Sequence, residues 1–372
     1  MKQGWEYKKL GDCTQILDSQ RKPVTKKDRT GGIYPYYGAT GIQDYVDKYI
    51  FDGRYVLVGE DGAKWSAFEQ SAFIIEGKSW VNNHAHVLKP HDFLVDTFLI
   101  YFLNYSDLDS YISGAIVRKL TQASLRNIEI PLPPKSTQLA IVSELDKINE
   151  LIRLKKEQLK DFDNLAQSIF YEMFGDPVEN EKGWEVKKLG EVCCVGTGST
   201  PNRKNKDFYE NGIYPWVKST EVCNLPIYSV EEYITQEALD KTNCTLYPQN
   251  TILMAMYGQG KTRGQIGLLK IEACTNQAVA AIVPTKEVVD ENYICLHLML
   301  MYEHIRNMAR GGNQANLNLS IVKSIQIILP PLPLQHLFAH RIEQIEHQKT
   351  EVQKAIADLE TLLASRMQYW FE

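Results

Sequence analysis

The sequence lacks several features that would assign it to particular classes of protein. Its seven cysteines form no Cys-x-x-Cys pair, and six of them lie in the second half. Such an odd and scattered set predicts reduced thiols and speaks against a disulfide framework or a zinc site. No run of about eighteen apolar residues is present, and the opening Met1-Lys2-Gln3-Gly4-Trp5 carries no apolar stretch. We therefore expect a cytoplasmic protein with no membrane partner.

Motifs that carry catalysis are missing as well. Methyl transfer to adenine would need a cofactor-binding strand with a glycine turn and an Asn/Asp-Pro-Pro-aromatic loop, and Asp176-Pro177-Val178 does not match that loop. No acidic cluster with a lysine marks a nuclease. His84 and His86 have the spacing of a metal pair, but no third histidine or cysteine lies nearby at a suitable spacing. We expect no catalytic residue and no metal ligand in this chain.

The net charge leaves the partner open. The 41 lysines and arginines are outnumbered by 46 aspartates and glutamates, which argues mildly against a nucleic acid. Clustering on one face matters more than the sum over the chain. Positive residues do cluster, in the groups Arg21, Lys22, Lys26, Lys27 and Arg29; Arg118 and Lys119; Arg203, Lys204 and Lys206; and Lys261 with Arg263.

The most informative feature that is present is a duplication. The nine residues that begin at Gly4 return at Gly183 with seven identities. Farther on, Gly32-Ile33-Tyr34-Pro35-Tyr36 returns as Gly212-Ile213-Tyr214-Pro215-Trp216. This period is far longer than the roughly 20–50 residues of a solenoid repeat. It indicates a tandem duplication of one domain plus one helix.

The duplication predicts an α+β fold with a defined division of the chain. We expect mixed domains at residues 1–134 and 183–331, long helices at 135–174 and 332–372, and a linker at 175–182. Short β-type runs at 55–58, 71–75, 251–256 and 278–283 and helical runs at 97–108 and 291–308 give each domain its mixed character.

Both long helices carry an apolar stripe at steps of three and four residues, which is typical of the seam of a coiled coil. Polar residues interrupt the stripe near Lys155 and Lys349. Because a lone helix would expose such a stripe, we predict that the two helices pair antiparallel and separate the two domains. The alternative is that each helix packs only on its own domain. The seam residues are Ile141, Leu145, Ile148, Ile152, Leu159, Phe162, Phe338, Ile342, Ile345, Val352, Ile356, Leu359 and Leu363.

The order of these features resembles the specificity (S) subunit of type I restriction–modification systems. Each α+β domain ends in a proline-rich hinge, Ile130-Pro131-Leu132-Pro133-Pro134 or Leu329-Pro330-Pro331-Leu332-Pro333, followed by a heptad helix. Phe174-Gly175-Asp176-Pro177 then links the two halves. Further matches are Pro35-Tyr36-Tyr37-Gly38-Ala39, Val58-Gly59-Glu60-Asp61-Gly62-Ala63, Thr262-Arg263-Gly264-Gln265-Ile266-Gly267 and Asn276-Gln277-Ala278.

The resemblance implies a function in defence against foreign DNA. In that family each globular unit is a target-recognition domain that reads one half of a split sequence in double-stranded DNA. The helices act as a ruler and as the docking surface for two methyltransferase (M) subunits, and restriction (R) subunits complete the nuclease. The S subunit itself performs no chemistry. The resemblance therefore implies no cofactor in this chain, with S-adenosylmethionine, ATP and Mg in partner subunits.

Polar loops at matched positions of the two halves are the candidate DNA contacts. The clusters at 21–29 and at 203–206 suit phosphates. Lys64 and Trp65 follow a turn and are candidates for the surface, and His84 aligns with Gln277 as a shared polar position. The complete set is Arg21, Lys22, Lys26, Lys27, Arg29, Lys64, Trp65, His84, Arg118, Lys119, Arg203, Lys204, Lys206, Gln259, Lys261, Arg263, Gln277, Asn313 and Gln314.

One motif supports a different class of protein. The eight residues that begin at Ala255 come within one residue of a P-loop and follow a predicted strand. A true P-loop opens a helix, whereas the residues from Arg263 to Leu269 predict a turn and another strand. This difference weighs against a P-loop, and a nucleotide-binding protein with a coiled-coil arm is kept as an alternative. A purely structural coiled-coil adaptor is the other.

Overall fold

The computed structural model describes residues 4–114, 116–258, 260–308 and 316–372. The chain divides into two compact units. Unit 1 comprises Met1–Glu157 and Gln353–Glu372, and unit 2 comprises Gln158–Val352. The division cuts through both long helices, so each unit holds part of each helix. In the described part of the chain, none of the helices is long and apolar enough to cross a membrane.

Unit 1 is built around one mixed sheet. Its elements, with α4 continuing into unit 2, are β1 Glu6–Lys9, α1 Leu10–Cys13, β2 Thr14–Ile16, β3 Gly31–Gly38, β4 Gly41–Val46, β5 Phe51–Gly59, β6 Ala72–Val81, β7 Ala85–Pro90, α2 Asp96–Tyr105, β8 Ile112–Ser113, β9 Lys119–Leu120, α3 Gln122–Arg126, β10 Glu129–Leu132 and α4 Lys135–Phe174.

The sheet of unit 1 follows the order β2-β7-β5-β6-β3-β4. β5 lies near the centre of this order. Its residues Val56, Leu57 and Val58 are all fully buried, as expected for a strand that is covered on both faces. β5 pairs antiparallel with β6 and β7. The last residues of β6 no longer pair with β5. They pair in parallel with β3, at Tyr36↔Trp80 and at the next residue pair.

Unit 2 repeats this plan with one strand divided. Its elements, with α10 continuing into unit 1, are β11 Glu185–Lys188, α5 Leu189–Val192, β12 Cys193–Thr197, β13 Tyr214–Val217, β14 Pro226–Ile227, β15 Tyr233–Ile234, α6 Gln236–Lys241, β16 Ile252–Ala255, β17 Ile266–Leu269, β18 Cys274–Thr275, β19 Val279–Pro284, α7 Glu291–Leu300, α8 Tyr302–Met308, α9 Leu319–Ser324, β20 Gln326–Leu329 and α10 Leu332–Phe371.

The long strand β6 has two counterparts in unit 2. β17 pairs antiparallel with β16, and β18 pairs in parallel with β13 at Trp216↔Cys274. The sheets therefore run β12-β19-β16-β17-β14 and β15-β13-β18. The predicted strands at 55–58, 71–75, 251–256 and 278–283 all fall on strands of these sheets.

Each long helix is fastened to its own repeat at its first turn by a buried glutamine. The Gln138 carboxamide accepts a hydrogen bond from the Val95 N–H at 2.8 Å and donates to the Pro133 carbonyl at 2.9 Å. The Gln335 carboxamide accepts from the Asp290 N–H at 3.0 Å and donates to the Pro330 carbonyl at 2.7 Å. The two hinges thus have the same construction.

The two long helices run antiparallel within each unit. In unit 1, Glu144 of α4 pairs with Arg366 of α10, and Lys156 pairs with Glu360 at 2.8 Å. In unit 2, Asp163 pairs with Lys349 at 2.9 Å, and the rings of Phe170 and Phe338 lie 5.6 Å apart. The predicted seam residues are buried or half-buried. Each unit therefore packs on both helices, so the alternative in which each helix packs only on its own domain is wrong.

The polar layer at Lys349 is satisfied internally. Its ammonium group lies 2.9 Å from both Asp163 and Glu346. Burial alone would lower the pKa of Lys349, but hydrogen bonds to Glu346 and Asp163 outweigh it and raise that pKa. The lysine therefore stays charged inside the seam.

The core of unit 2 contains a cluster of four fully buried aromatic residues, Phe170, Phe174, Tyr293 and Phe338. The Phe174 ring lies 4.9 Å from Tyr293 and 5.3 Å from Phe338. Burial raises the pKa of the Tyr293 hydroxyl, which donates to the Ile328 carbonyl at 2.8 Å. In unit 1 the corresponding place is taken by the end of α10, where Phe371 lies 5.6 Å from Phe98.

The helical runs differ from the prediction at their ends. The run at 291–308 is not one helix, because α7 ends at Leu300 and α8 begins at Tyr302. At Met301 between them, φ is −83° and ψ is 7°, which departs from α-helical geometry. The run at 97–108 shortens to α2, because Ser106 at its end adopts an extended conformation.

Candidate functional site

Four loops that the sequence singled out converge at one edge of the sheet in unit 1. The Arg21 guanidinium donates to the Ala85 carbonyl at 2.8 Å, and the Trp80 indole N–H donates to the Lys22 carbonyl at 2.7 Å. An isolated β-bridge joins Asp61 to Lys119. The loops after β2, β5 and β6 and the loop before β9 therefore form one polar face.

A charged network lies beneath this face. The Arg21 guanidinium contacts Glu60 at 2.5 Å and Asp18 at 3.4 Å, Lys119 contacts Glu60 at 2.7 Å, and His86 Nδ1 lies 2.6 Å from Asp18. Burial alone would raise the pKa values of Asp18 and Glu60. A hydrogen bond with His86 lowers that of Asp18, and hydrogen bonds from Lys119 and Arg21 lower that of Glu60. Both carboxylates are therefore ionised at neutral pH.

Three members of this network have the geometry of a metal site. One ligand atom each from Asp18, Glu60 and His86 lies within 4.8 Å of the others. The cations Arg21 and Lys119 already neutralise these carboxylates, so we assign no metal here. His84 contacts a different carboxylate, that of Asp61, so the two histidines do not act as a pair.

The equivalent loop of unit 2 follows β16 and is held from below by α8. The Arg306 guanidinium donates to the Gly260 carbonyl at 2.9 Å and to the Arg263 carbonyl at 3.1 Å. The Tyr302 hydroxyl donates to the Lys261 carbonyl at 2.5 Å. Tyr302 and Arg306 therefore fix the backbone of the loop whose side chains include Lys261 and Arg263.

Replacement of Arg306 by methionine should loosen this loop without unfolding unit 2. Methionine keeps the apolar stem but cannot donate to the two carbonyls or to the Tyr302 hydroxyl, so we expect faster amide exchange across residues 260–265 and a loss of stability of about 1–3 kcal/mol. Hydrogen exchange read by mass spectrometry measures both effects. Unchanged exchange in the loop would show that Arg306 does not hold it.

The charged network of unit 1 has an uncharged counterpart in unit 2. The Leu120 N–H donates to the Glu60 carbonyl, and the Leu317 N–H donates to the Met256 carbonyl, so Met256 stands where unit 1 has Glu60. In the same way Val58↔His86 corresponds to Met254↔Ala280. One framework therefore carries polar, hydrogen-bonded side chains in one unit and apolar side chains in the other.

Comparison with known proteins matches this duplicated architecture. The sequence model of the type I restriction modification DNA specificity domain matches residues 2–161 and again residues 181–361. These two matches span most of the chain, one for each repeat. The chain belongs to this family. It is a DNA-recognition subunit of the type I restriction–modification class.

Two relatives align with nearly the whole of this chain. A putative type I restriction enzyme specificity subunit of Haemophilus influenzae is 29% identical over 351 residues, covering 92% of this chain and 87% of the relative. The MjaIX specificity subunit of Methanocaldococcus jannaschii is 21% identical over 393 residues, covering 96% and 90%.

A solved structure shares the fold. The crystal structure of a type I restriction–modification S subunit from M. genitalium matches with a TM-score of 0.61 at 13% identity, covering 100% of this chain and 98% of the other.

Among the predicted DNA contacts of the specificity subunit, some side chains are shielded, some are exposed, and several pair with carboxylates. Arg21 and Arg29 are largely shielded and pair with carboxylates. Arg118 is exposed and pairs with Asp109 at 2.6 Å. The exposed members are Lys22, Lys26, Lys27, Lys64, His84, Arg118, Arg203, Lys204, Lys206, Lys261 and Gln277. Gln259, Asn313 and Gln314 lie outside the described residues.

Trp65 is not a surface residue as the sequence predicted. Its side chain is buried, and its indole N–H donates to the Gly59 carbonyl at 3.1 Å. The Arg118 guanidinium lies 5.8 Å from the centre of its ring. Trp65 therefore supports the loop after β5 from inside, because an indole gains most by burying its ring while its N–H finds an acceptor.

The alignment of His84 with Gln277 is wrong by one residue. The His84 N–H donates to the Asn82 side chain, and the Ala278 N–H donates to the Asn276 side chain in the same turn. His84 therefore corresponds to Ala278. The strand pairings fix this register, and the sequence around the turn is too short to do so.

The segment that resembles a P-loop has the strand predicted after it. β16 ends at Ala255, and β17 begins at Ile266. In the described residues of this segment no helix follows the loop, so its backbone N–H groups do not have the helix N-terminus that holds a phosphate in a P-loop. The geometry gives no support to the nucleotide-binding alternative.

Sequence reasoning missed the residues that hold these loops. Glu60, Tyr302 and Arg306 are distant in sequence from the basic clusters they contact, whereas Asp18 lies only three residues before Arg21. For Asp44 and Glu232 a signal was available, because Asp44-Tyr45-Val46 and Glu232-Tyr233-Ile234 are matched triplets that follow the second duplicated motif.

Proposed function

We propose that this specificity subunit reads an asymmetric DNA sequence in two parts, with one unit reading each part. The observation that carries the proposal is the polar loop face of unit 1 and its counterpart in unit 2, which occupy equivalent edges of equivalent sheets. The framework repeats, whereas the groups beneath and within the loops differ. Two such faces suit two different half-sites, because base edges are read by particular side chains in the major groove.

Exposed lysines near the loops are our candidates for phosphate contacts. These are Lys22, Lys26, Lys27, Lys64, Lys204, Lys206 and Lys261, which are all exposed. Lysine suits a phosphate as a mobile point charge. His84, Arg118, Lys119, Arg263 and Gln277 lie on the same faces and are candidates for bases or for the backbone.

We propose two methyltransferase (M) subunits and restriction (R) subunits as partners, with the coiled-coil helices as the M docking surface. A solved structure with a TM-score of 0.61 and 18% identity comes from work on complex assembly of the type I system. We propose that this chain performs no chemistry and that S-adenosylmethionine, ATP and Mg act in the partner subunits. The complex would work in the cytoplasm on adenine N6 in DNA.

The test is the methylome of a host without modification systems of its own. The host expresses this chain with the methyltransferase encoded beside it, and single-molecule sequencing locates N6-methyladenine. We expect methylation at one split and asymmetric motif. Cells with the methyltransferase alone are the control. If the methyltransferase is active but no motif depends on this chain, the proposal fails.

A further inference from the structure

In unit 1 an arginine is held between an aromatic ring and a carboxylate. The guanidinium carbon of Arg29 lies 4.1 Å from the centre of the Tyr36 ring, and Nη1 donates to Asp44 at 3.1 Å. The Arg29 side chain is 15% exposed. Both its flat face and one edge are therefore engaged within the protein.

Unit 2 contains the same arrangement. The guanidinium carbon of Arg203 lies 4.7 Å from the centre of the Trp216 ring, and Nη1 donates to Glu232. A second ring, that of Tyr209, lies 4.8 Å away on the same guanidinium. This arginine is more exposed than Arg29, but it has the same kinds of partner.

The partners of the two arginines are equivalent in the fold. Tyr36 lies opposite Asp44 in the β3–β4 pair, and the Trp216 N–H donates to the Glu232 carbonyl beside the β13–β15 pair. Arg29 and Arg203 stand at different distances from these aromatic residues along the chain. Two loops of different length therefore place an arginine against an aromatic ring and a carboxylate at the same position of the fold. This recurrence indicates that both units need the arrangement.

In unit 1 the arrangement fixes the backbone of the loop at residues 21–29, which is the first basic loop of this unit. The Val24 N–H donates to the Tyr36 hydroxyl at 3.0 Å, and Arg29 Nε donates to the Val24 carbonyl at 3.1 Å. Lys26 and Lys27 lie between these anchors and are exposed. The loop is thus held at both sides of the two lysines.

In unit 2 the Trp216 and Tyr209 rings hold the loop at residues 199–206, which is the first basic loop of this unit. The Trp216 indole N–H donates to the Ser199 carbonyl at 3.0 Å, and the Tyr209 hydroxyl donates to the Pro201 carbonyl at 2.6 Å. Lys204 follows Arg203 directly and is exposed. The ring that receives the arginine therefore also orders the chain that leads to the lysine.

We propose that Arg29 and Arg203 are positioning residues, each of which holds the first basic loop of its unit so that the neighbouring lysines meet the DNA phosphates. The inference rests on the proposed DNA-reading function. It assigns to these arginines a role different from the direct phosphate contact that their charge alone predicts. The two roles predict different results when lysine replaces the arginine. Lysine keeps the charge that a phosphate contact needs, but it loses the planar fork and the stacking that hold the loop.

The first test exchanges each arginine for lysine. Arg29→Lys and Arg203→Lys keep the charge but lose the planar fork and the stacking. For the full chain in complex with its methyltransferase, we expect about tenfold weaker binding of a duplex that carries the methylated motif. Affinity within twofold of wild type would identify a simple charge contact and overturn the proposal.

The second test reverses the sign expected from charge. Asp44→Asn and Glu232→Gln remove a negative charge from a DNA-facing surface, which by electrostatics alone strengthens DNA binding. We expect weaker binding, by about threefold or more, because the arginine loses its anchor. Tighter binding by both variants would contradict the positioning role.

The third test is a mutant cycle. If Arg29 acts through Lys26 and Lys27, then Arg29→Lys should weaken binding by less than twofold in a chain that already carries Lys26→Ala and Lys27→Ala. Independent phosphate contacts would instead give additive losses. Arg54→Lys is the matched control, because Arg54 pairs with Asp96 at 2.6 Å away from the basic loop; it should bind DNA as the wild type does.

Hydrogen exchange without DNA separates this inference from the proposed function. Arg29→Lys should speed exchange across residues 22–30, and Arg203→Lys across 199–206, each leaving the other loop unchanged. Unchanged exchange in both loops would overturn the positioning role, whatever the DNA result. If the wild-type complex binds no DNA while the exchange differences appear, the proposed function fails and the structural role of the arginines stands.

Discussion

Replacement of Phe338 by alanine should destabilise unit 2 by about 3–5 kcal/mol, the usual cost of removing a large buried aromatic side chain. Phe338 is fully buried among Phe170, Phe174 and Tyr293. Its removal opens a cavity against these three rings, and two of them come from the other long helix. The cavity has little means to collapse, because the surrounding groups belong to rigid helices.

Hydrogen exchange of the full chain measures this loss where it occurs. Protection of amides in α7 should fall, while protection of β5 in unit 1 should change little. The neighbouring substitution Leu337→Ala is the control, since Leu337 is 48% exposed and should change stability by no more than about 0.5 kcal/mol. Equal effects of the two substitutions would show that the aromatic cluster does not support unit 2.

Replacement of Glu60 by alanine should destabilise unit 1 by about 3–5 kcal/mol at neutral pH, as expected when one partner of a buried ion pair is removed. Glu60 contacts Arg21 at 2.5 Å and Lys119 at 2.7 Å. Without it the shielded Arg21 keeps only Asp18 as a carboxylate partner in the network. Glu76→Ala is the control, because its pair with Arg54 is exposed and should contribute no more than about 1 kcal/mol.

The effect of Glu60→Ala should depend on pH in a defined direction. The folded-state pKa values of Glu60 and Asp18 are lowered, so their stabilisation is complete above their unfolded-state pKa values of about 4 and is lost as the pH falls through the folded values. The difference between wild type and Glu60→Ala should therefore shrink below about pH 4. Exchange of the β5 amides at pH 7 and pH 3.5 provides the measurement. A difference that stays constant, or that is small at pH 7, would contradict the ionised network.

Much of the fold could be predicted because the information was local or repeated. The apolar stripes predicted the buried face of both long helices, and β-type runs such as the one at Val56 marked the central strands. What the sequence did not reveal depends on contacts between distant segments. Arg21 belongs to a basic cluster, yet it is shielded because Asp18, Glu60 and the Ala85 carbonyl converge on it in space.

The same physical reason explains the site. Lys26 and Lys204 are exposed, as their polar surroundings predict. The role of Arg29 and Arg203 was missed because loops of different length place them at different distances from the duplicated aromatic residues, so their equivalence shows only when the strands are paired. Trp65 was misplaced because a tryptophan beside a glycine turn gives no sign of which way its ring packs.

The position of the end of α10 has a consequence for synthesis. Met367 and Phe371 pack into the hydrophobic core of unit 1, and the Tyr105 hydroxyl donates to Glu372 at 2.6 Å. These residues are made after all of unit 2, whereas the sheet of unit 1 is made first. Unit 1 therefore stays incompletely packed until Gln353–Glu372 are made, and by then unit 2 has all of its residues. A stop codon before Gln353 would remove a packing segment of unit 1 and so damage the part of the protein that is made first.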